Sequence, residues 1–181
     1  MNPRDLKRVV AASVIAVVAA GGLAYQHFRA REPRKSQPAS VTQIIGVTRL
    51  EIRYNRPSAR ERALFGGIVP YGQVWDPGAD EATTFATSGP VTLGGQPLPE
   101  GTYSVWAIPD SSEWTVILSK ASHVFHIPYP EGRDALRFRV KPAVGPYVET
   151  LLFSFPQADA THALLVLQWG TTTIEIPVVA Q

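Results

Sequence analysis

The 181-residue sequence contains no cysteine, and this absence excludes several classes of site. A chain without cysteine has no disulfide framework, no thiolate metal site and no lipid attached through a cysteine. The sequence also lacks Gly-x-Ser-x-Gly, the motif that positions the serine nucleophile of many hydrolases. An apolar content of 45% is nevertheless enough to build a core.

Basic charge is scarce in the part of the chain that is expected to fold. Of the 17 Lys and Arg residues, seven lie in residues 1–37, together with two of the 15 Asp and Glu residues. This leaves 10 basic and 13 acidic residues, a net charge near −3, in residues 38–181. A nucleic-acid-binding domain carries basic charge on its folded surface, so we expect no nucleic-acid partner.

A long hydrophobic run occurs near the N-terminus. Val9–Phe28 is uncharged, and its strongly apolar part ends at Ala24. With the interfacial aromatic residues at its end, the run approaches the roughly 20 residues that span a bilayer. We therefore expect a hydrophobic helix within residues 1–28 that anchors the chain in the membrane. Gly22-Leu23-Ala24 also fits a cleavage site, so a removed signal peptide is the alternative.

Lys and Arg flank both ends of this run, so the positive-inside rule does not decide its orientation. Residues 29–40 are polar and contain two prolines, which is typical of a linker. The expected organisation is an anchor or signal segment over residues 1–28, a linker over residues 29–40 and a folded domain over residues 41–181.

From residue 41 onward, apolar residues recur with a period of two. In Arg49–Tyr54 they alternate with charged residues, as in a strand with one buried face. Further short runs between Gly and Pro turns occupy residues 83–88, 91–93, 103–108, 114–118, 136–140, 149–155, 163–169 and 174–178. Pro177 predicts an edge position for the last run. The sequence therefore predicts an all-β fold, an antiparallel β-sandwich or jelly-roll-like domain behind an N-terminal hydrophobic helix.

Residues 54–85, which we call the central segment, are the longest stretch without strand periodicity. Loops held on a β scaffold are where binding and catalytic groups concentrate. Arginine matches carboxylate and phosphate geometry, and tyrosine and tryptophan combine an apolar ring with a polar tip. Eight side chains are therefore candidate ligand-binding residues: Arg56, Arg60, Arg62, Tyr71, Trp75, Asp76, Asp80 and Glu81. The three other tryptophans are expected in the core.

Three carboxylates of the central segment lie around the turn-forming Pro77-Gly78. A turn there would bring Asp76, Asp80 and Glu81 together, where they could hold a hard cation such as calcium or act as acid and base. Alternatively, they pair with the nearby arginines and stabilise the segment. These interpretations stay open on the sequence alone.

His123-x-x-His126 is the only pair of closely spaced histidines in the predicted domain. A zinc site needs at least one more protein ligand, and the prolines that follow do not favour a helical turn. We therefore expect no zinc site at this pair and assign no residue to a metal, and the sequence identifies no cofactor.

Several motifs of the domain occur in an order that resembles a known family. They are Tyr54-x-Arg56-Pro57, Gly66-Gly67-x-Val69-Pro70-Tyr71-Gly72-x-x-Trp75, Gly78-Ala79-Asp80-Glu81-Ala82-Thr83, Gly101-Thr102-Tyr103-Ser104 and Trp114. Over residues 40–179 they resemble the exported bacterial proteins of the domain of unknown function 2911 family. The resemblance implies a β-sandwich-like domain behind an export signal or anchor, located outside the cytoplasm, and it implies no activity. Two residues depart from the family pattern, which usually has arginine at Asp76 and asparagine at Asp80.

The predicted function is binding of a small polar ligand or an envelope protein through the central segment. The chain is expected in the cell membrane with its domain outside the cytoplasm, or in the periplasm or medium after signal cleavage. One alternative is a hydrolase or lyase with Asp80 or Glu81 as acid–base group and Arg56 or Arg62 stabilising negative charge. A purely structural envelope module is the other.

Overall fold

The structure is a computed structural model that describes Asn2 and residues 36–181. The chain divides after Lys35 into two units, the second of which is the folded domain. The predicted hydrophobic helix in residues 1–28 and most of the predicted linker lie outside the described residues. Within the described residues there is no helix, and therefore none with the length and apolarity to cross a membrane.

Ten strands form two antiparallel sheets. The strands are β1 (Gln37–Ile45), β2 (Thr48–Arg56), β3 (Thr84–Thr87), β4 (Val91–Leu93), β5 (Gln96–Leu98), β6 (Gly101–Ile108), β7 (Trp114–Ser119), β8 (Asp134–Val140), β9 (Ala143–Ala158) and β10 (His162–Ala180). One sheet has six strands in the order β1-β2-β3-β6-β7-β8, and the other has four in the order β5-β4-β10-β9. This architecture confirms the all-β, antiparallel prediction, and its two sheets fit a sandwich.

The core lies between the two sheets and follows the alternation read from the sequence. On β2, Leu50, Ile52 and Tyr54 are buried, whereas Arg53 is exposed. Apolar residues of β9 and β10 belong to the same buried cluster, so packing the two apolar faces together removes both from water. The Tyr54 hydroxyl accepts a hydrogen bond of 3.1 Å from the backbone N–H of Phe153, which links the sheets within the core.

Two strand boundaries differ from the sequence prediction. β1 begins at Gln37, so the last residues of the predicted linker belong to a strand. The runs predicted at residues 163–169 and 174–178 form the single strand β10, whose pairing with β9 shifts register on both sides of Gly170. A shift of this kind lets one long strand bend, which the local pattern of apolar residues does not reveal.

The predicted edge position of Pro177 is wrong, because β10 is an interior strand of its sheet. The pairing of β10 with β9 ends at Thr173, and its pairing with β4 begins at Val178. Pro177 therefore lies between two ladders, where a residue without a backbone N–H is tolerated.

A second, smaller cluster of buried apolar residues lies on the outer face of the six-stranded sheet. Trp106 and Ile117 belong to this cluster and alternate along β6 and β7 with residues of the main core. Ala82 of the central segment belongs to the same cluster, and Val124 of the β7–β8 connection packs against it. The central segment and this connection therefore cover part of the outer face beside β2 and β3.

Candidate functional site

Two of the candidate arginines hold the start of the central segment in place. Arg56 donates from Nε to the backbone carbonyl of Leu151 on β9 at 3.3 Å. Arg62 donates to the carbonyls of Ser58 and Ala59 at 2.7 and 2.9 Å. Both guanidinium groups thus bond backbone oxygens here, which ties the segment to β9 and to itself.

Arg60 contacts a carboxylate, but only through its backbone. Arg60 and Glu61 have φ values of 52° and 58°, and the tight turn directs the Arg60 N–H to the Glu149 carboxylate at 2.9 Å. The Tyr147 hydroxyl donates to the same carboxylate at 2.6 Å. Both bonds lower the pKa of Glu149, and the bond from Tyr147 has the larger effect.

Trp75 lies in a cluster of aromatic rings, and Tyr71 lies beside this cluster. Trp75 is half-buried and stacks on Trp169, with ring centroids 5.9 Å apart and planes inclined by 9°. Its backbone exchanges two hydrogen bonds of 2.8 Å with Ala107 of β6. Tyr71 is 44% exposed. The core prediction for the other tryptophans is confirmed, since each is at most 2% exposed: Trp106, Trp114 and Trp169.

Asp76 is buried, with 3% of its surface exposed. Its Oδ1 accepts a hydrogen bond of 2.8 Å from the backbone N–H of Thr83, and its Oδ2 has no partner among the described residues. Burial raises the pKa of this carboxyl to about 7, although the bond from Thr83 acts in the opposite direction. Asp76 therefore gains or loses a proton inside the protein near neutral pH.

Asn55, at the end of β2, organises the other two acids. Its side chain is buried and donates from Nδ2 to the carbonyl of Ala79 at 2.7 Å and to the Glu81 carboxylate at 3.0 Å. The intervening Asp80 has φ 62°, and its carbonyl accepts the backbone N–H of His126 at 2.9 Å. The Glu81 carboxylate thus faces solvent. The loop that carries it is hydrogen-bonded both to Asn55 and to the β7–β8 connection.

The structure therefore divides the eight candidates. The arginines contact β9 or the start of the segment. Trp75 lies in the aromatic cluster with Tyr71 beside it, and the three acids lie on the loop next to Asn55. Within residues 36–181, no three His, Cys, Asp or Glu side chains are placed to hold a metal ion. Neither a calcium nor a zinc site therefore has three such side chains gathered in this part of the chain.

A groove of about 650 Å³ lies beside Glu81. Outward-facing residues of β2, β3 and β6 line it, among them Arg53 and its cross-strand partner Thr84. The rest of the lining includes Glu81 and residues 122–125 of the β7–β8 connection. We call this cavity the outer-face groove.

Arg53 and Glu51 form an ion pair on β2 within the groove. Arg53 donates from Nε to the Glu51 carboxylate at 2.8 Å, and its Nη1 and Nη2 have no hydrogen-bond partner in the described part of the chain. This bond lowers the pKa of Glu51 and raises that of Arg53. The Arg53 side chain is 70% exposed, so the unused guanidinium donors face solvent.

The sequence prediction missed Glu51, Arg53 and Asn55 as site residues. The available signal was the period of two in β2, which places positions 51, 53 and 55 on the face opposite the core. Three polar residues on one face immediately before a long irregular segment indicate that this face borders the segment. The bond from Asn55 to Glu81, and the position of Glu81 in the same groove as Glu51 and Arg53, depend on the path of the following chain and are not local properties.

A protein-family model matches residues 36–178, almost the entire folded domain. No curated protein and no solved structure matches the chain.

Proposed function

Since the chain belongs to the family described as "Protein of unknown function (DUF2911)", a description that names no activity, we propose its function from the geometry of its own site. We propose that the domain binds a small polar ligand in the outer-face groove without transforming it. The volume of about 650 Å³ falls within the roughly 300–1,000 Å³ of typical small-molecule sites.

The observation that supports this proposal is that Arg53 and Glu81 line the same groove. Arg53 offers two guanidinium nitrogens that no other residue of the described domain bonds. Glu81 carries the opposite charge, and the buried Asn55 fixes its orientation from below. Two charged groups that are already oriented lower the entropic cost of binding a complementary ligand.

The spacing of these groups suggests the chemistry of the ligand. Residues two apart on a strand are separated by about 7 Å, so the strand positions of Arg53 and of Asn55, whose amide bonds Glu81, lie about that far apart. A ligand with a carboxylate for Arg53 and an ammonium for Glu81 needs several bonds between its charges. Short ω-amino acids and dipeptides have this form.

We also propose that binding takes place outside the cytoplasm, with the chain anchored in the cell membrane through residues 1–28 or released after signal cleavage. The apolar run and its basic flanks support this location. Protease added to intact spheroplasts should digest the domain. Protection of the domain until the membrane is lysed would contradict an extracytoplasmic location.

Calorimetric titration of the full-length chain in detergent tests the binding proposal. The probes are glycine, β-alanine, 4-aminobutyrate and glycylglycine, whose charges are increasingly far apart. We expect 4-aminobutyrate and glycylglycine to bind more tightly than glycine. Arg53→Gln and Glu81→Gln should each weaken that binding by about tenfold or more, because each removes a charge-assisted hydrogen bond.

The matched controls are Arg139→Gln and Glu175→Gln, which remove exposed charges that do not line the groove. Both should bind like the wild type. Equal affinity for all four probes, or wild-type binding by Glu81→Gln, would contradict the proposal. Release of glycine from glycylglycine that Glu81→Gln abolishes would instead support the hydrolase alternative.

A further inference from the structure

A second concave surface surrounds Tyr71. Two hollows of about 150 and 260 Å³ share Phe65, Tyr71 and Thr172 as lining residues, so Tyr71 stands between them. None of these three residues lines the outer-face groove. We call the two hollows together the tyrosine cleft.

The floor of the tyrosine cleft is a rigid group of aromatic rings. Phe65 packs edge-on against Trp114, with ring centroids 4.6 Å apart. Trp169, which also lines the cleft, is 2% exposed and stacks on Trp75. Because these rings fix one another, the floor needs little reorganisation when a ligand binds.

Two tyrosine rings stand above this floor and remain exposed. Tyr71 is 44% exposed and Tyr147 is 58% exposed. A Cβ at Gly66 would lie only 2.7 Å from the Tyr71 ring, so the ring rests directly on the glycine backbone. The Tyr147 hydroxyl donates to Glu149 at 2.6 Å, which holds the second ring. Both rings thus have a defined position while a large part of their surface stays in contact with water.

Polar groups of the cleft retain unused hydrogen-bonding capacity. The indole Nε1–H of Trp169 is buried without a partner among the described residues. Arg62 uses Nε and Nη2 for backbone carbonyls, which leaves Nη1. Thr171 and Thr172 add two hydroxyl groups to the lining. Because the Trp169 N–H is closed off from solvent, it reports on the state of the floor, and a ligand would bond the exposed polar groups of the rim.

We propose that the tyrosine cleft binds a neutral saccharide. The C–H face of a pyranose ring is apolar and slightly positive, so it stacks on the negative face of Tyr71 or Tyr147. Its hydroxyl groups then bond Arg62, Thr171 and the other polar groups at the rim. Aromatic rings and hydroxyl groups outnumber the charged side chains of the lining, Arg62 and Asp110, whose opposite charges favour a neutral ligand over a multiply charged one.

The test uses the full-length chain in a non-glycosidic detergent, titrated with glucose, N-acetylglucosamine, maltotriose and chitotriose. Binding is followed by tryptophan fluorescence and by the NMR signal of the Trp169 indole N–H. We expect at least one trisaccharide to bind and to shift that signal. Tyr71→Ala and Tyr147→Ala should each weaken binding by about tenfold, whereas Tyr71→Phe should bind within about threefold of the wild type.

Phe125→Ala is the matched control, because Phe125 is also exposed, at 53%, but lines the outer-face groove. It should leave saccharide binding unchanged, as should Glu81→Gln, so failure of one site is distinguishable from failure of the other. Melting temperatures show whether Tyr71→Ala is folded, and Tyr147→Ala tests the cleft independently of it. Absence of any shift with all four sugars, or wild-type saccharide binding by both tyrosine-to-alanine variants, would overturn the proposal.

Discussion

Asp76 accepts a hydrogen bond of 2.8 Å from the backbone N–H of Thr83, seven residues further along the chain. The Thr83 hydroxyl donates in turn to the carbonyl of Pro77 at 3.0 Å. Both bonds are buried, and they close residues 76–83 into a loop that carries Glu81 at the groove. Asp76 therefore supports the proposed site from within the loop.

Asp76→Asn should change the pH dependence of stability. Burial raises the pKa of Asp76 from 3.8 to about 7, so the folded state holds this proton more tightly than the unfolded state. The free energy of unfolding should accordingly fall as the pH rises from about 4 to about 7, by up to about 4 kcal/mol. Asparagine keeps an acceptor for Thr83 and does not titrate, so the variant should lack this decline and exceed the wild type in stability at pH 8.

Urea unfolding of a fragment comprising residues 36–181, at intervals from pH 4 to pH 8, measures this effect. Asp110→Asn is the control, because the pKa of this exposed carboxyl is lowered. The main cause is the hydrogen bond that it accepts from the Ser112 backbone. Its contribution to stability is lost only as the pH falls through its lowered pKa, so the control should keep the wild-type slope above pH 5. Identical slopes for the wild type and Asp76→Asn would disprove the role assigned to this burial.

Tyr54→Phe should destabilise the domain by about 1–2 kcal/mol. The substitution removes the hydroxyl that accepts the Phe153 N–H and leaves that backbone donor buried without a partner. Tyr147→Phe is the matched control, since it also removes one hydroxyl but from an exposed side chain, and it should change stability by less than about 0.5 kcal/mol. Chemical denaturation of both variants measures the difference, and equal losses would mean that the bond between the sheets contributes little.

The strands of the domain could be predicted because their signal is local. In β2, Leu50, Ile52 and Tyr54 alternate with polar residues whatever the rest of the chain does. The contacts of the candidate site are not local: Arg56 bonds Leu151, 95 residues away. Because the central segment is rich in charges of both signs, its sequence predicts pairing between arginines and acids. In the structure, strand β9 instead supplies the backbone carbonyl that Arg56 bonds.

The two departures from the family pattern differ in their physical meaning. Asp80 has φ 62°, a conformation that asparagine and aspartate adopt more readily than other residues with a Cβ. Aspartate in place of asparagine therefore preserves the backbone there. Asp76 is buried, and one of its carboxylate oxygens has no partner within residues 36–181. Its exchange with a larger, permanently charged arginine would therefore require a different arrangement around Thr83.

Asn55→Ala should lower stability by about 2 kcal/mol and also weaken ligand binding in the groove. The amide donates to the Ala79 carbonyl and to Glu81, and alanine provides neither bond. Gln157→Ala, at an exposed position of β9, is the control and should lie within about 0.5 kcal/mol of the wild type. Calorimetry with 4-aminobutyrate and urea unfolding separate the two effects. Unchanged stability together with unchanged binding would show that Asn55 does not hold Glu81.

Gly67→Ala should be more destabilising than an alanine placed in an open turn. A Cβ at Gly67 would lie 2.2 Å from the backbone oxygen of Ala63, so the turn that leads to Tyr71 has to move. At Gly95, which has φ +80°, a Cβ meets no atom within 4 Å, and only the conformational cost of about 1 kcal/mol applies.

We expect losses of about 2–3 kcal/mol for Gly67→Ala and about 1 kcal/mol for Gly95→Ala, measured by urea unfolding. Because the aromatic floor packs against this turn through Phe65, Gly67→Ala should also change the tryptophan emission, whereas Gly95→Ala should not. Equal losses with identical emission spectra would mean that the turn relaxes without strain, and the position of Tyr71 would then not depend on the close approach of Gly67 to Ala63.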